Sequence, residues 1–578
     1  MRKAFFALAF LCLHLSTQAN NLSVSNVGTT GQDMANDFTL VEFDLSWDNS
    51  WRLGATTRDA AWVFVKFQVG VKDPELSNAS SSGTTVTVGS TANLRVGMPV
   101  VVTAGTGTLA ANTVISSITN ATQFELSAAP SVALSNATIV CRRIWEHATL
   151  NTTAGNHTAP AGSTIEVPSD GVGVFLYRSA DGDGTFSVSD VQLRWEYGSN
   201  GVADDAVLQI QVFAIEMAYV PQGSFAAGSG GAENSAFTLT TINTATATTA
   251  PSGTGSLGGQ AGGYPTGQTA PNVNWPNGYN AFYCMKYEVS QGQYRDFLNT
   301  LTYAQQVSRT INAPSSAAGT AALSNANRNG LDIQTPGVAA TAVPAVYGCN
   351  LDGDGNFNES NDGEWIACNF LSWMDGCAFV QWSGLRPMTE LEFEKACRGD
   401  QLPVANEYAW GTTAIAAAAY TLSNAGAADE GIATNYSTTD GNASYITTDG
   451  SLDGPLRGGI FSANGSNSGR ISAGASYYGI MEMSGNLWER TVSIGNADGR
   501  AFTGLHGNGS LSTAGHATTS AWPGLISGEL TGATGGGFRG GVWLSNATLI
   551  RVSDRTNAAN TDTARNYARG FRGIRLAP

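Results

Sequence analysis

YGIMEMSGNLWER, residues 478 to 490, shows neither a helical nor an alternating apolar period. Two carboxylates, Glu482 and Glu489, flank a Gly485-Asn486 pair, a turn-forming combination in a turn-rich stretch beyond Gly399. Working outward from it, patterned segments recur in order. Upstream, Ser290 with Gln293 makes a capping box, and Tyr294, Phe297, Leu298 and Leu301 then fall on one helical face. A second helix is expected from about Asn369 to Ser383, with Phe370, Trp373, Cys377 and Val380 at helical spacing. Thr389 and Glu392 form another capping box, opening a short helix that ends at Gly399.

The N-terminal part has a different grammar. Val41, Phe43, Leu45 and Trp47 alternate with Glu42, Asp44 and Ser46, the mark of a half-buried strand. The pattern repeats at Val63, Val65, Phe67 and Val69, at Val191, Leu193 and Trp195, and at Leu208, Ile210 and Val212. Short alternating strands between Gly, Asn and Asp turns point to a β-sandwich over residues 20–216. Residues 76–140 change character, being rich in Thr, Ser, Ala, Val and Gly, and read as a small β-module inserted at a hairpin tip. Residues 226–280 and 303–345 read as loop insertions within the C-terminal domain, residues 217–578.

Charged residues make up 13% of the chain and hydrophobic ones 42%, with 69 glycines, a balance suited to a β- and loop-rich extracellular protein. A net charge of -16 opposes binding to nucleic acid or to anionic lipid. Residues 1–19 have a basic start, a short apolar run and small residues at Thr17 and Ala19, the form of a secretory signal peptide. No later stretch is long and apolar enough to span a bilayer. Cys12 falls in the leader, leaving Cys141, Cys284, Cys349, Cys368, Cys377 and Cys397 as disulfide candidates in an exported protein.

Taken in order, MAYVPQGSF from Met217, YCMKYEVSQGQYRDFLN from Tyr283, NFLSWMDGCAFVQWSGLRPMTELEFEKACRG from Asn369, the Gly485-Asn486-x-Trp488-Glu489 signature, FRGGVW from Phe538 and GFRGIRL from Gly570 resemble the formylglycine-generating-enzyme (sulfatase-modifying factor) family. The resemblance implies an α+β, C-type-lectin-like domain rich in irregular structure, following the all-β sandwich with its inserted module. It also implies a chemistry that this chain lacks. The family's enzymes hold Cu(I) with two thiolates after the Arg-Gly-Gly strand, and soft thiolates are what Cu(I) requires. Here Ser545 stands about where the first would be, and no cysteine follows Cys397. An iron-binding branch uses histidines on a helical domain, whereas His147, His157, His506 and His516 show no helical pairing; His506 and His516 read as hydrogen-bonding loop residues. No copper or iron, and no catalytic residue, is expected.

Calcium is the cofactor that the resemblance implies. By position it would be held by Glu482, the carbonyls of Gly485 and Leu487, and Glu489, with Asn435 opening a second family site. The competing reading of Glu489 is an ion pair with an arginine. Two acidic loops, Asp352-Gly353-Asp354-Gly355-Asn356 and Asp181-Gly182-Asp183-Gly184, resemble calcium loops, since carboxylates two apart with Gly between can converge on one ion, but plain Asp-Gly turns are the favoured reading. In the first, Phe357 stands where an EF-hand needs Gly, and Gly363 where it needs Glu. The closing segment from Ser545 to Tyr567 is crowded with polar residues. Relatives that use this face as a hypervariable binding surface make Asn546, Asn557, Asn560, Asn566 and Tyr567 ligand-binding candidates. Arg539, Arg551, Arg555 and Arg572 are expected to pair with carboxylates beneath it. The expected function is a secreted or cell-surface, non-catalytic binding or structural protein, taking an extracellular glycan or protein ligand or associating with itself. The rivals are a metal-dependent oxidoreductase of the same family and a self-assembling fibre or coat subunit.

Overall fold

The computed structural model describes residues 21–246 and 272–578; the expected signal peptide lies outside the described residues, as does much of the 226–280 insertion. The chain is mostly β, in several sheets, with few helices. A three-stranded antiparallel sheet is built from Ser23–Asp33, Phe38–Arg52 and Gly182–Trp195. Its inward residues Val41, Phe43, Leu45, Trp47, Leu193 and Trp195 meet Val63, Val65, Phe67, Val174 and Leu176 from a second, larger sheet in one apolar cluster.

That larger sheet has ten strands and runs through both halves of the chain. Along its main path the order is Ser163–Glu166, Val174–Arg178, Asp59–Val69, Leu208–Val220, Phe282–Met285, Gly573–Leu576, Arg386–Thr389, Glu489–Val492 and Gly536–Arg539. Leu208–Val220 is the joint: it pairs with Asp59–Val69 from Leu208↔Val69 to Ala218↔Asp59, and with Phe282–Met285 from Met217↔Met285 to Val220↔Phe282. The boundary drawn at residues 216/217 thus falls inside one strand.

The strand Asp59–Val69 is buried along its whole length, which corrects the half-buried reading. Its odd-numbered residues feed the cluster just described, while Trp62 and Phe64 face a second core built on the helices. There the Phe64 ring lies 5.1 Å from Trp382, Trp62 Nε1 donates to the Ser383 carbonyl at 2.7 Å, and Lys66 Nζ donates to the carbonyls of Trp382 and Gly509. Across the joint, buried Lys286 sits 3.4 Å from Asp59 and 3.3 Å from Glu216. The alternation rule missed this because the second face is covered by a remote part of the sequence.

Residues Glu75–Cys141 form a six-stranded sheet with its own small core around Val86, Met98, Phe124 and Ile139. It leaves and rejoins where Asp59–Val69 pairs with Glu146–His147, Glu146 opposite Phe67.

Among the described residues the C-terminal half has four helices longer than one turn, α1 Gln291–Asn299, α2 Tyr303–Arg309, α3 Trp373–Trp382 and α4 Glu390–Arg398, and two single turns, Ile446–Asp449 and Ala497–Arg500. Ser290 and Thr389 cap α1 and α4 with complete capping boxes. The second expected helix starts late: Phe370 takes φ +60°, and Ser372, boxed with Asp375, is the cap of α3. α2 was read as loop; its Thr302–Gln305 capping box was the available signal. The 303–345 stretch also contributes the strand Leu331–Thr335, paired with Val346–Cys349.

The disulfide expectation is corrected. All six described cysteines are buried free thiols. Cys141 sits alone in the inserted module's core, Cys284 and Cys397 in one apolar cluster, and Cys349, Cys368 and Cys377 in another. Burial in apolar surroundings pushes the Cys141 thiol up to about 12, with the Asp73 charge adding to it, so this cysteine behaves as a small hydrophobe.

Candidate functional site

The ground beneath the closing strands is a buried charge network. Glu390 and Glu394, one turn apart on α4, both reach Arg539, at 3.1 and 2.7 Å. Arg555 pairs with Glu390 at 2.7 Å, and Arg398 with Glu394 at 3.3 Å and with Glu407. Three of the four expected arginine pairings hold, since Arg572 binds Glu489 at 2.7 Å. Arg551 instead donates to the Asn406 side-chain oxygen at 3.1 Å.

Above this ground lies the Gly485–Glu489 loop. Gly485 has φ +94°, and a Cβ there would meet the Ser444 carbonyl at 2.2 Å, so only glycine fits. Asn486 spends its whole side chain on the fold: Oδ1 accepts from Leu456 N–H, and Nδ2 donates to Glu288. The other Glu288 oxygen accepts from Leu487 N–H at 3.0 Å. Sequence reasoning missed Glu288; a lone carboxylate inside the apolar run before α1 was the signal. Glu482 Oε1 accepts from Gly459 N–H at 2.8 Å. Burial foremost pushes the Glu482 carboxyl up to about 7 and raises those of Glu288 and Glu489. Glu482 Oε2 and Glu489 Oε2 are buried without a hydrogen-bond partner among the described residues, and oxygens of this kind suit a hard cation. Glu489 also makes the arginine pair that was the competing reading. Asn435 is elsewhere: it is exposed, and its amide donates to the Ala419 carbonyl at 2.6 Å.

At the position corresponding to the family's first thiolate, Ser545 is 4% exposed and its Oγ accepts from Val542 N–H at 3.0 Å. It is a turn cap, turned away from solvent. Two residues before it, buried Trp543 packs 5.8 Å from the exposed Tyr567 ring, and Leu544 and Asn546, on either side of Ser545 in sequence, are exposed. Asn546, Asn560 and Asn566 accept with Oδ1 from the backbone N–H two residues on, at Thr548, Asp562 and Ala568. Their Oδ1 atoms therefore fold the turns. Asn557 and Asn560 lie on a separate turn, where the Asn557 carbonyl accepts from Phe538 and Asn560 N–H. The five candidates thus fall on three turns, at Asn546, at Asn557 to Asn560 and at Asn566 with Tyr567. A cavity of about 710 Å³ lies elsewhere, between the inserted module and α2, lined in part by Val100, Leu109, Tyr303 and Trp382.

Two histidines of this half make hydrogen bonds within the fold. His506 Nε2 accepts from Leu576 N–H at 3.0 Å, holding the last strand, and His516 Nδ1 meets Arg309 at 3.0 Å. Burial first, then the Arg575 and Arg386 charges, push the His506 ring well below its ordinary value. The folded state therefore binds this proton less readily than the unfolded chain. Stability is full above about pH 6.5 and falls as the pH drops below it, by up to about 1.4 kcal/mol per unit for one such group. Urea unfolding at pH 7.5 and 5.5 checks this: His506→Gln should show a shallower loss than the parent protein.

Asp181 in the second acidic loop pairs with Arg52 at 2.8 Å and accepts from Gly54 N–H, as a turn residue would. No helix among the described residues is long and apolar enough to cross a membrane.

No curated protein matches the chain. Among solved structures, Treponema denticola variable protein 1 is similar at 16% identity, covering 63% of this chain and 96% of that one, with a TM-score of 0.25. The family described as the sulfatase-modifying factor enzyme 1-like domain matches residues 214–577, more than half of the chain, and the protein belongs to that family, whose fold is C-type-lectin-like.

Proposed function

We propose that this is a secreted, cell-surface binding protein in which the family domain recognises an extracellular glycan or protein without catalysis. The observation that carries this reading is the state of Ser545. At the place of the family's metal-binding thiolate stands a buried hydroxyl committed to a turn, and the Trp543 ring two residues before it carries the outward ring of Tyr567. An aromatic ring fixed on a second ring, with outward amides nearby, offers rigid contact area at small entropic cost. The N-terminal strands, as a sandwich, serve as the pedestal for this face. Calcium, held by Glu482, Glu489 and the Gly485 and Leu487 carbonyls, is a structural ion in this reading. The two buried carboxylate oxygens without partners support it.

The test is a binding screen of the exported protein against immobilised glycans and cell-surface extracts, followed by Tyr567→Ala. Loss of at least about tenfold in affinity is expected on removing such an aromatic anchor. Oxygen consumption with a thiol and a cysteine-containing peptide, above a no-protein control, would overturn the non-catalytic reading.

A further inference from the structure

Three charged side chains, remote from one another in sequence, meet inside the seam between the halves. Asp59, Glu216 and Lys286 are 1%, 4% and 4% exposed. They are carried by neighbouring strands of the ten-stranded sheet: Asp59 opens Asp59–Val69, Glu216 lies within Leu208–Val220, and Lys286 directly follows Phe282–Met285. The Lys286 N–H donates to the Glu216 carbonyl at 2.9 Å, which fixes where its side chain starts. Its Nζ then lies 3.4 Å from Asp59 Oδ2, 3.3 Å from Glu216 Oε2 and 3.3 Å from the Asn49 carbonyl. The Tyr287 ring covers the amine at 5.5 Å. This is an amine and two carboxyls held in contact away from water.

The Asp59 carboxyl is also gripped more closely than an ion pair requires. Oδ1 accepts from Ser50 Oγ–H at 2.9 Å and from Trp51 N–H at 3.0 Å, and Oδ2 accepts from Trp47 Nε1–H at 3.0 Å. Donors on both oxygens draw electron density from Cγ, and the pair on Oδ1 stands where negative charge would gather if a nucleophile added to that carbon. Burial alone would lower the Lys286 ammonium, but the pull of Tyr287, Glu216 and Asp59 raises it above its ordinary value. A free amine therefore arises only by passing a proton to a neighbouring carboxylate. That transfer cancels two charges in a place where charge is costly to keep.

We propose that Lys286 Nζ and Asp59 Cγ condense to an amide, with Glu216 as the proton carrier, so that a covalent cross-link joins the N-terminal sheet to the family domain. Glu216 takes a proton from Nζ, and the amine adds to Cγ of the protonated Asp59 carboxyl. The oxyanion on Oδ1 is met by the Ser50 hydroxyl and the Trp51 N–H. The Cγ–Oδ2 bond then breaks, Glu216 returns its proton to the leaving oxygen, and water departs. One C–N bond forms and one C–O bond is lost. Of the three ammonium protons, one stays on the amide nitrogen and two leave in the water. Nothing is oxidised or reduced, and no co-reactant is needed. Folding supplies the proximity that makes such a condensation competitive in water, because the three residues meet only in the finished sheet. The cross-link is independent of what the Tyr567 face binds and of any ion at the Gly485–Glu489 loop.

The experiment is intact-mass spectrometry of the folded, exported protein after reduction and denaturation, set against the mass its sequence requires from its own N-terminus. The parent is expected to be lighter by one water. Its tryptic digest should contain a branched peptide in which tandem fragmentation places the branch between Asp59 and Lys286. Lys286→Arg, which keeps the charge but cannot condense in this way, and Asp59→Ala should both return to full sequence mass. Glu216→Gln should stay there too. A parent at full sequence mass after prolonged incubation in the folded state would overturn the proposal, and so would a lost water whose branch lies at any other pair. Complete cross-linking in Glu216→Gln would remove Glu216 from the reaction. The parent's own mass and branch point decide the question, so it stands even where a variant folds poorly.

Discussion

Arg539→Ala is expected to lose about 3–5 kcal/mol of folding stability, the usual result of removing one partner from a buried ion pair. Arg539 is fully buried, bridges Glu390 and Glu394, donates to the Val552 carbonyl and lies 5.0 Å over the Phe393 ring. Removing it leaves Glu394 facing Arg398 and Glu390 facing Arg555, but takes one positive charge from a site that solvent does not reach. The Arg539 and Arg398 charges hold the Glu394 carboxyl below its ordinary range. Guanidinium unfolding followed by tryptophan fluorescence reads the loss. An Arg539→Lys variant that recovered full stability would refute the argument, because a lysine cannot fork to two carboxylates and a carbonyl.

The second large effect is expected at the seam between the halves. Trp382→Ala removes a ring that contacts Phe64 at 5.1 Å, Phe213 at 4.9 Å and Phe297 at 5.4 Å. Truncating a buried aromatic of this kind costs about 3–5 kcal/mol through lost transfer energy and the cavity left behind. The Trp382 carbonyl that accepts from Lys66 survives the substitution, so the seam would be thinned, with its polar clasp in place. Thermal unfolding should shift down as one transition. Two separated transitions in the parent protein would contradict the view that the ten-stranded sheet makes the halves cooperative.

What could be read from the sequence was what local chemistry decides. Ser290 with Gln293 and Thr389 with Glu392 named the starts of α1 and α4, because a capping box involves only neighbours. The same box at Thr302 was passed over within a stretch taken as loop. Alternation found the strand from Asp59 to Val69 but assigned it one wet face, since nothing within the strand tells that Trp382 will cover Phe64 or that the Ser383 carbonyl will meet Trp62. The site shows the same division. Gly485 and Asn486 were legible as a signature, and an arginine partner for Glu489 was foreseen as the competing reading, though not which arginine; it is Arg572. Glu288 was not, because its role depends on Asn486 and Leu487, remote in sequence. The Asp352 loop was judged by its fit to an EF-hand spacing.

The strand Leu208–Val220 has a consequence for how such a protein can be taken apart. Met217 is paired on one side with Ala60 and on the other with Met285, so the family domain has no free edge at its start. A fragment cut at the family boundary would expose an unpaired strand edge, a template for aggregation, together with the apolar side of Trp382. This family unit is therefore no interchangeable cassette. Recombination that swapped it between proteins would have to carry the Asp59–Val69 strand along, or replace it with another that fits the same register.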